Sequence, residues 1–99
     1  MKLKISEIEI EPVRPHGGLV AFASFVLNDC LYCSSVGIMT RPDGSYRLCF
    51  PTRKIGSNQI SIFHPISRTI GKAISDAVLQ KYEEVTKGNY DRHSYSQDQ

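Results

Sequence analysis

Gln59-Ile60-Ser61-Ile62-Phe63-His64-Pro65-Ile66-Ser67-Arg68-Thr69-Ile70-Gly71-Lys72-Ala73-Ile74-Ser75-Asp76-Ala77-Val78 is the stretch in which the hydrophobic period changes. Residues 59 to 63 read as a short strand. Beyond it, apolar positions recur at three and four: Ile66, Ile70, Ala73, Ile74, Ala77 and Val78, continued by Lys81 and Val85. That is the period of an amphipathic helix. Ser67, following Pro65 and Ile66, supplies an N-cap hydroxyl. The spacing predicts a helix from about residue 67 to residue 86. Gly71 weakens its first turns by about 1 kcal/mol relative to Ala, and Gly88-Asn89 reads as its stop.

Everything before this switch reads as strand and turn. Residues 3 to 13 alternate, but Leu3 and Ile5 are out of phase with Ile8 and Ile10. The slip at Ser6-Glu7 predicts either a bulge or a strand that uses both faces. Residues 19 to 27, 31 to 40 and 46 to 50 are three more strands. Pro15-His16-Gly17-Gly18, Asn28-Asp29 and Arg41-Pro42-Asp43-Gly44-Ser45 are the turns around and between them. Residues 53 to 58 read as an exposed loop. The expected fold class is α+β: an antiparallel, hairpin-built sheet of about five strands followed by one C-terminal amphipathic helix. Residues 1 to 86 form one domain and 87 to 99 a polar, flexible tail. Leu19 to Leu27 is apolar on both faces apart from Ser24, yet one helix covers one face. A second copy of the chain is the simplest cover for the rest.

The chain has 99 residues, of which 40% are hydrophobic, so it holds a core but hardly two domains. No run reaches the roughly 18 apolar residues of a membrane span. Glu7 falls where a signal peptide would have its apolar core, so the expected compartment is the cytoplasm. The three cysteines, Cys30, Cys33 and Cys49, are an odd number and form no complete disulfide framework. Cys30-Leu31-Tyr32-Cys33 has the spacing of half a zinc site or a redox pair. No second such pair follows, and strand formers surround it, so ordinary strand packing is the expectation. A general-base role for His64 with Asp76 or a cysteine has nothing to order it, so the expectation is local: an imidazole nitrogen bonded to the junction backbone or capping the helix start. Neither a catalytic constellation, a metal site nor a cofactor loop emerges.

The net charge of +2 excludes a histone-like polycation and an acidic tail protein. It conceals an uneven distribution. Arg41, Arg47, Arg53, Lys54, Arg68 and Lys72 face only Asp43 between residues 40 and 72, a net +5. The flanks carry −1 and −2. Phosphate binding needs several cations on one surface. Arg53-Lys54 and the pair Arg68 and Lys72, four apart on the helix, converge if residues 51 to 67 fold back as a strand and turn. The first two cations of the helix lie where its dipole disfavours them, which points to another use. Tyr46 and Phe63, with Tyr90 and Tyr95 in the tail, are candidates to stack on bases, although Phe63 suits the core better.

Asn28-Asp29 after an apolar strand, Phe50-Pro51-Thr52-Arg53-Lys54 after a hairpin, His64-Pro65-Ile66 before the helix and Asp76-Ala77-Val78-Leu79 with Tyr82 occur in one order. With the opening Lys2-Leu3-Lys4-Ile5-Ser6-Glu7-Ile8, this pattern resembles the SpoVG family of sporulation and septation proteins over residues 2 to 85. The resemblance implies a small bacterial protein with a sheet of hairpins and a C-terminal helix, dimeric through its sheets. It implies DNA binding, with RNA as a second ligand, in septation, sporulation or gene regulation, and no catalytic activity. The candidate nucleic-acid contacts are then Arg53, Lys54, Arg68 and Lys72, with Arg47 and Arg41 behind them. The competing expectation is a protein-interaction module acting in cell division without nucleic acid. The chain departs from the family pattern at Ser35 and Gly37, where an acidic residue and an Arg are usual.

Overall fold

The computed structural model describes residues 2–97, with side-chain environments for residues 2–87. Four strands form one antiparallel sheet in sequential order: β1 (Ile5–His16), β2 (Leu19–Leu27), β3 (Leu31–Thr40) and β4 (Tyr46–Cys49). Two short strands, β5 (Thr52–Ile55) and β6 (Asn58–Ser61), pair only with each other. One helix, α1 (Arg68–Gln97), follows. The expected α+β class is thus observed, with two differences of detail. The segment read as a loop is half of a hairpin, because Gly56 at φ +62° starts a two-residue turn that lets residues 52 to 55 pair backwards. The helix also passes through Gly88 and Asn89 rather than stopping there. Gly lowers helix propensity by about 1 kcal/mol, a penalty and not a barrier.

The turns use the residues their geometry demands. Asn28 and Asp29 hold φ of +51° and +56°, a left-handed region in which short polar side chains are tolerated. The Cys30 N–H donates to the Leu27 carbonyl at 3.0 Å, closing the turn. The start of the chain is fastened to it. The Lys4 N–H donates to Asn28 Oδ1 at 2.7 Å, and Lys4 Nζ lies 2.9 Å from Asp29. In the β3–β4 turn, the Ser45 hydroxyl and N–H both donate to Asp43 Oδ1, at 2.6 and 2.9 Å. These bonds favour the carboxylate and hold the Asp43 pKa below its ordinary value.

The core lies between the sheet and α1. Ala21, Ala23 and Phe25 of β2 and Cys33, Val36 and Ile38 of β3 are buried beneath Ile74, Val78 and Tyr82 of the helix. Those three helix positions recur every fourth residue, so they form one stripe. Tyr82 belongs to it although its phenol kept it out of the apolar pattern. It meets Tyr46 edge to face, with ring centroids 5.1 Å apart. Burial, with Tyr46 adding to it, pushes the Tyr82 phenol pKa up. Phe63 packs against Phe50 in a second edge-to-face pair at 5.9 Å, joining the core's margin as expected. Ile66 departs from expectation: it precedes the helix and is 94% exposed.

Among the described residues nothing layers over the opposite face of the sheet. Glu9 and Glu11 of β1, Phe22 and Ser24 of β2 and Tyr32 and Ser34 of β3 line a shallow groove there. Phe22 is 39% and Tyr32 68% exposed. Among the described residues no helix is long and apolar enough to cross a membrane.

Candidate nucleic-acid interface

Between Asp43 and Asp76 the chain carries no acid, and this acid-free run builds β4, the β5–β6 hairpin and the first turns of α1. Its cations fall into three places. Arg53 and Lys54 are exposed neighbours on β5. Arg53 stands opposite Ile60 and Lys54 opposite Gln59, so they point to opposite faces of the ribbon. Pro51 begins this ribbon, since its carbonyl accepts the Ile62 N–H at 2.9 Å.

Arg68 and Lys72 lie one turn apart at the start of α1, both exposed. Ser67 caps this end: its hydroxyl oxygen accepts the Ile70 N–H at 3.3 Å, as the sequence predicts. Gly71 lies against Pro65: a Cβ there would sit 3.4 Å from the Pro65 ring, a close van der Waals contact. The first turn of the helix contains no acidic residue. The dipole's positive end therefore adds to Arg68 rather than being neutralised. Lys72 Nζ lies 2.9 Å from Asp76 in an exposed pair one turn on. Such a pair contributes at most about 0.5 kcal/mol. Among the described residues, Arg53, Lys54 and Arg68 are in no ion pair.

Arg47 and Arg41 stand apart from these. Arg47 is opposite Met39, in the row that includes Gly37 and Cys49. Its neighbours Tyr46 and Leu48 pack against the core, so Arg47 projects from the face away from α1. Arg41 is exposed in the β3–β4 turn. Residues 52 to 61 do return as a hairpin before the helix. Tyr46 is committed to Tyr82 and is not a stacking platform. The side chains of Tyr90 and Tyr95 lie outside the described residues.

The alternative chemistries find little support in the geometry. Cys33 is buried in the core and burial raises its thiol pKa, while Cys30 is exposed on the turn. Strand packing thus holds for Cys33, whereas Cys30 falls on the exposed turn before β3. His64 Nδ1 and Ser61 Oγ are 2.6 Å apart, a hydrogen bond whose donor the tautomer sets. His64 is held locally, but by the Ser61 side chain rather than by the junction backbone or as a helix cap, which Ser67 supplies. Among the described residues no three His, Cys, Asp or Glu side chains gather to hold a metal ion. What the sequence reading missed is the apolar half of the ribbon, where Ile55, Ile60 and Ile62 are exposed beside the cations. The signal was Ile55-Gly56-Ser57-Asn58, a glycine-first two-residue turn between pairable residues.

The SpoVG family profile matches residues 3–84. A protein of Treponema denticola named as a SpoVG septation protein is 30% identical over 82 residues, covering 82% of this chain and 87% of that one. Its namesake in Clostridioides difficile is 24% identical over 83 residues, 83% of this chain and 89% of the relative. The Staphylococcus aureus protein of that name is 21% identical over 97 residues, with 97% and 96% covered. The match spans both the hairpin and the helix start, and the chain belongs to the SpoVG family.

Proposed function

We propose that this protein is a dimeric nucleic-acid-binding regulator linked to septation, sporulation or gene regulation in the bacterial cytoplasm. DNA is its first ligand and RNA its second. The observation that carries this reading is the acid-free run from Gly44 to Ser75, whose cations are exposed on the hairpin and helix start. Arg53, Lys54, Arg68 and Lys72 would meet phosphates, with Arg47 and Arg41 as outlying contacts. Such contacts position a protein on nucleic acid without reading sequence. The family match supports the septation link through its relatives' names. The working unit is residues 1 to 86, with 87 to 99 as a polar extension.

Arg53→Ala with Lys54→Ala tests the assignment. Binding to an unrelated duplex should weaken at low salt, and the slope of log affinity against log salt should fall by about 2. An unchanged affinity and slope would remove these residues from the interface. The open sheet face with Phe22 and Tyr32 favours a second reading, a protein-interaction module without nucleic acid. Absence of any salt-dependent complex with DNA or RNA would select it.

A further inference from the structure

Every residue of β5 and of β6 is exposed, and the pair joins no strand of the main sheet. The register sorts the side chains of this free ribbon onto two faces. Arg53 opposite Ile60 and Ile55 opposite Asn58 share one face, while Thr52 opposite Ser61 and Lys54 opposite Gln59 share the other. The first face thus mixes two isoleucines with a guanidinium and a carboxamide. Ile55 is 53% exposed and Ile60 49%. Ile55 and Asn58 are the last pair before the Gly56-Ser57 turn, so they stand at the ribbon's tip. The nearest acids in sequence are Asp43 and Asp76, both outside the ribbon.

We propose that the β5–β6 ribbon enters the minor groove of duplex DNA, where Ile55 parts a base step as an apolar wedge and bends the duplex. The inference rests on the nucleic-acid reading above and gives it a mode of docking. The minor-groove floor presents only acceptors at A·T pairs. Arg53 and Asn58 supply donors on the same face as the wedge. Guanidinium and carboxamide groups beside an inserted aliphatic side chain are the combination that minor-groove binding employs. Lys54 and Gln59, on the other face, are left for the phosphates that border the groove. Strands of four residues span about 13 Å, the length of about four base steps. The mixed character of the face selects this occupant. An apolar protein surface or a bilayer would cover the isoleucines but strip water from Arg53 and Asn58 without replacing its hydrogen bonds. A phosphate surface alone would leave Ile55 in water. A groove with a parted base step satisfies both kinds of group at once.

The test uses the full chain and short duplexes with a dye at each end, so that bending raises energy transfer between the dyes. One duplex is A·T-rich with a central TA step, which deforms readily. The second replaces its A·T pairs with G·C. The third replaces them with inosine·cytosine, which keeps the groove of G·C on the major side but lacks the amino group that guanine projects into the minor groove. The unmodified chain at saturation should raise transfer by the amount that a bend of at least about 20° gives. The inosine duplex should bind within about 2-fold of the A·T duplex, and the G·C duplex at least about 5-fold more weakly. Ile55→Ser should bind about 3–10-fold more weakly and lose most of the rise in transfer at saturation, whereas Ile55→Leu, which keeps a wedge, should retain it. Circular dichroism checks that both variants are folded. A bound chain that leaves the duplex straight would overturn the inference, as would a folded Ile55→Ser that bends like the parent or an Ile55→Leu that loses the bend equally. An inosine duplex bound as weakly as the G·C one would move the contact to the major groove and overturn it too. Absence of a salt-dependent complex with every duplex would instead remove the nucleic-acid reading on which the inference rests.

Discussion

Glu7 of β1 and Ser35 of β3 sit on opposite sides of the Ser24–Phe25 step of β2, Glu7 in the bulge facing Phe25 and Ser35 in the bulge facing Ser24, and both hold positive φ, +50° and +63°. Each inserts one extra residue opposite the Ser24–Phe25 step. β1 takes three residues from Ser6 to Glu9 while β2 takes two from Val26 to Ser24. β3 takes three from Cys33 to Val36 while β2 takes two from Phe25 to Ala23. An extra residue restores the phase of a strand whose apolar positions have slipped. Leu3 and Ile5 thereby join Ile8 and Ile10 beside the core, and Cys33 joins Val36 and Ile38 within it.

Ser35 should accordingly tolerate only residues that accept the left-handed region. Its side chain is exposed, so packing does not confound the test. Ser35→Val should lose about 1–2 kcal/mol, because a β-branched side chain clashes there. Ser35→Asn should be neutral or slightly stabilising. Urea midpoints of the two variants check this, and equal midpoints would contradict it.

Gly37, where the family pattern usually has Arg, is a place of enforced smallness. A Cβ there would lie 3.1 Å from Leu19 Cδ1 and 3.7 Å from Cys49. Gly37→Ala should cost about 1 kcal/mol through displacement of Leu19. In a Leu19→Ala background the same change should cost less. A double-mutant cycle with zero coupling would show that Leu19 is not the obstacle.

Alkali should loosen the contact between α1 and β4. Tyr82 has its pKa raised in the fold, first by burial and then by Tyr46. The neutral phenol is thus the form the native state holds. Its stabilising effect is complete below the unfolded value, near pH 10, and is lost as pH rises through the folded one. Tyr82→Phe should stay within about 1 kcal/mol of the parent at pH 7 and lose less stability between pH 9 and 11. Parallel losses would sink the assignment.

Asp76 holds Lys72 at 2.9 Å and competes with any phosphate for it. Asp76→Ala should tighten nucleic-acid binding by about 2–5-fold and steepen its salt dependence. The helix should lose only about 0.5 kcal/mol. Unchanged binding beside a normal helix signal would take Lys72 out of the interface.

The strand and helix periods, the turns at Asn28-Asp29 and Gly44, and the acid-free run from residue 44 to 75 were all legible along the chain. They depend on neighbours within a few residues, where backbone sterics and side-chain period decide. The slip at Ser6-Glu7 was legible as a slip, but its meaning was not. A bulge and a two-faced strand look alike until a partner strand fixes which residues stand opposite. The second bulge, at Ser35, and the burial of Tyr82 under Tyr46 were likewise settled by contacts across the sheet. Arg53 and Lys54 were visible as a basic pair, whereas the ribbon's pairing determines that they face opposite ways. The isoleucines carry the same lesson. Sequence shows how apolar a residue is, but only the packed chain shows whether anything covers it, because burial is a property of distant segments meeting.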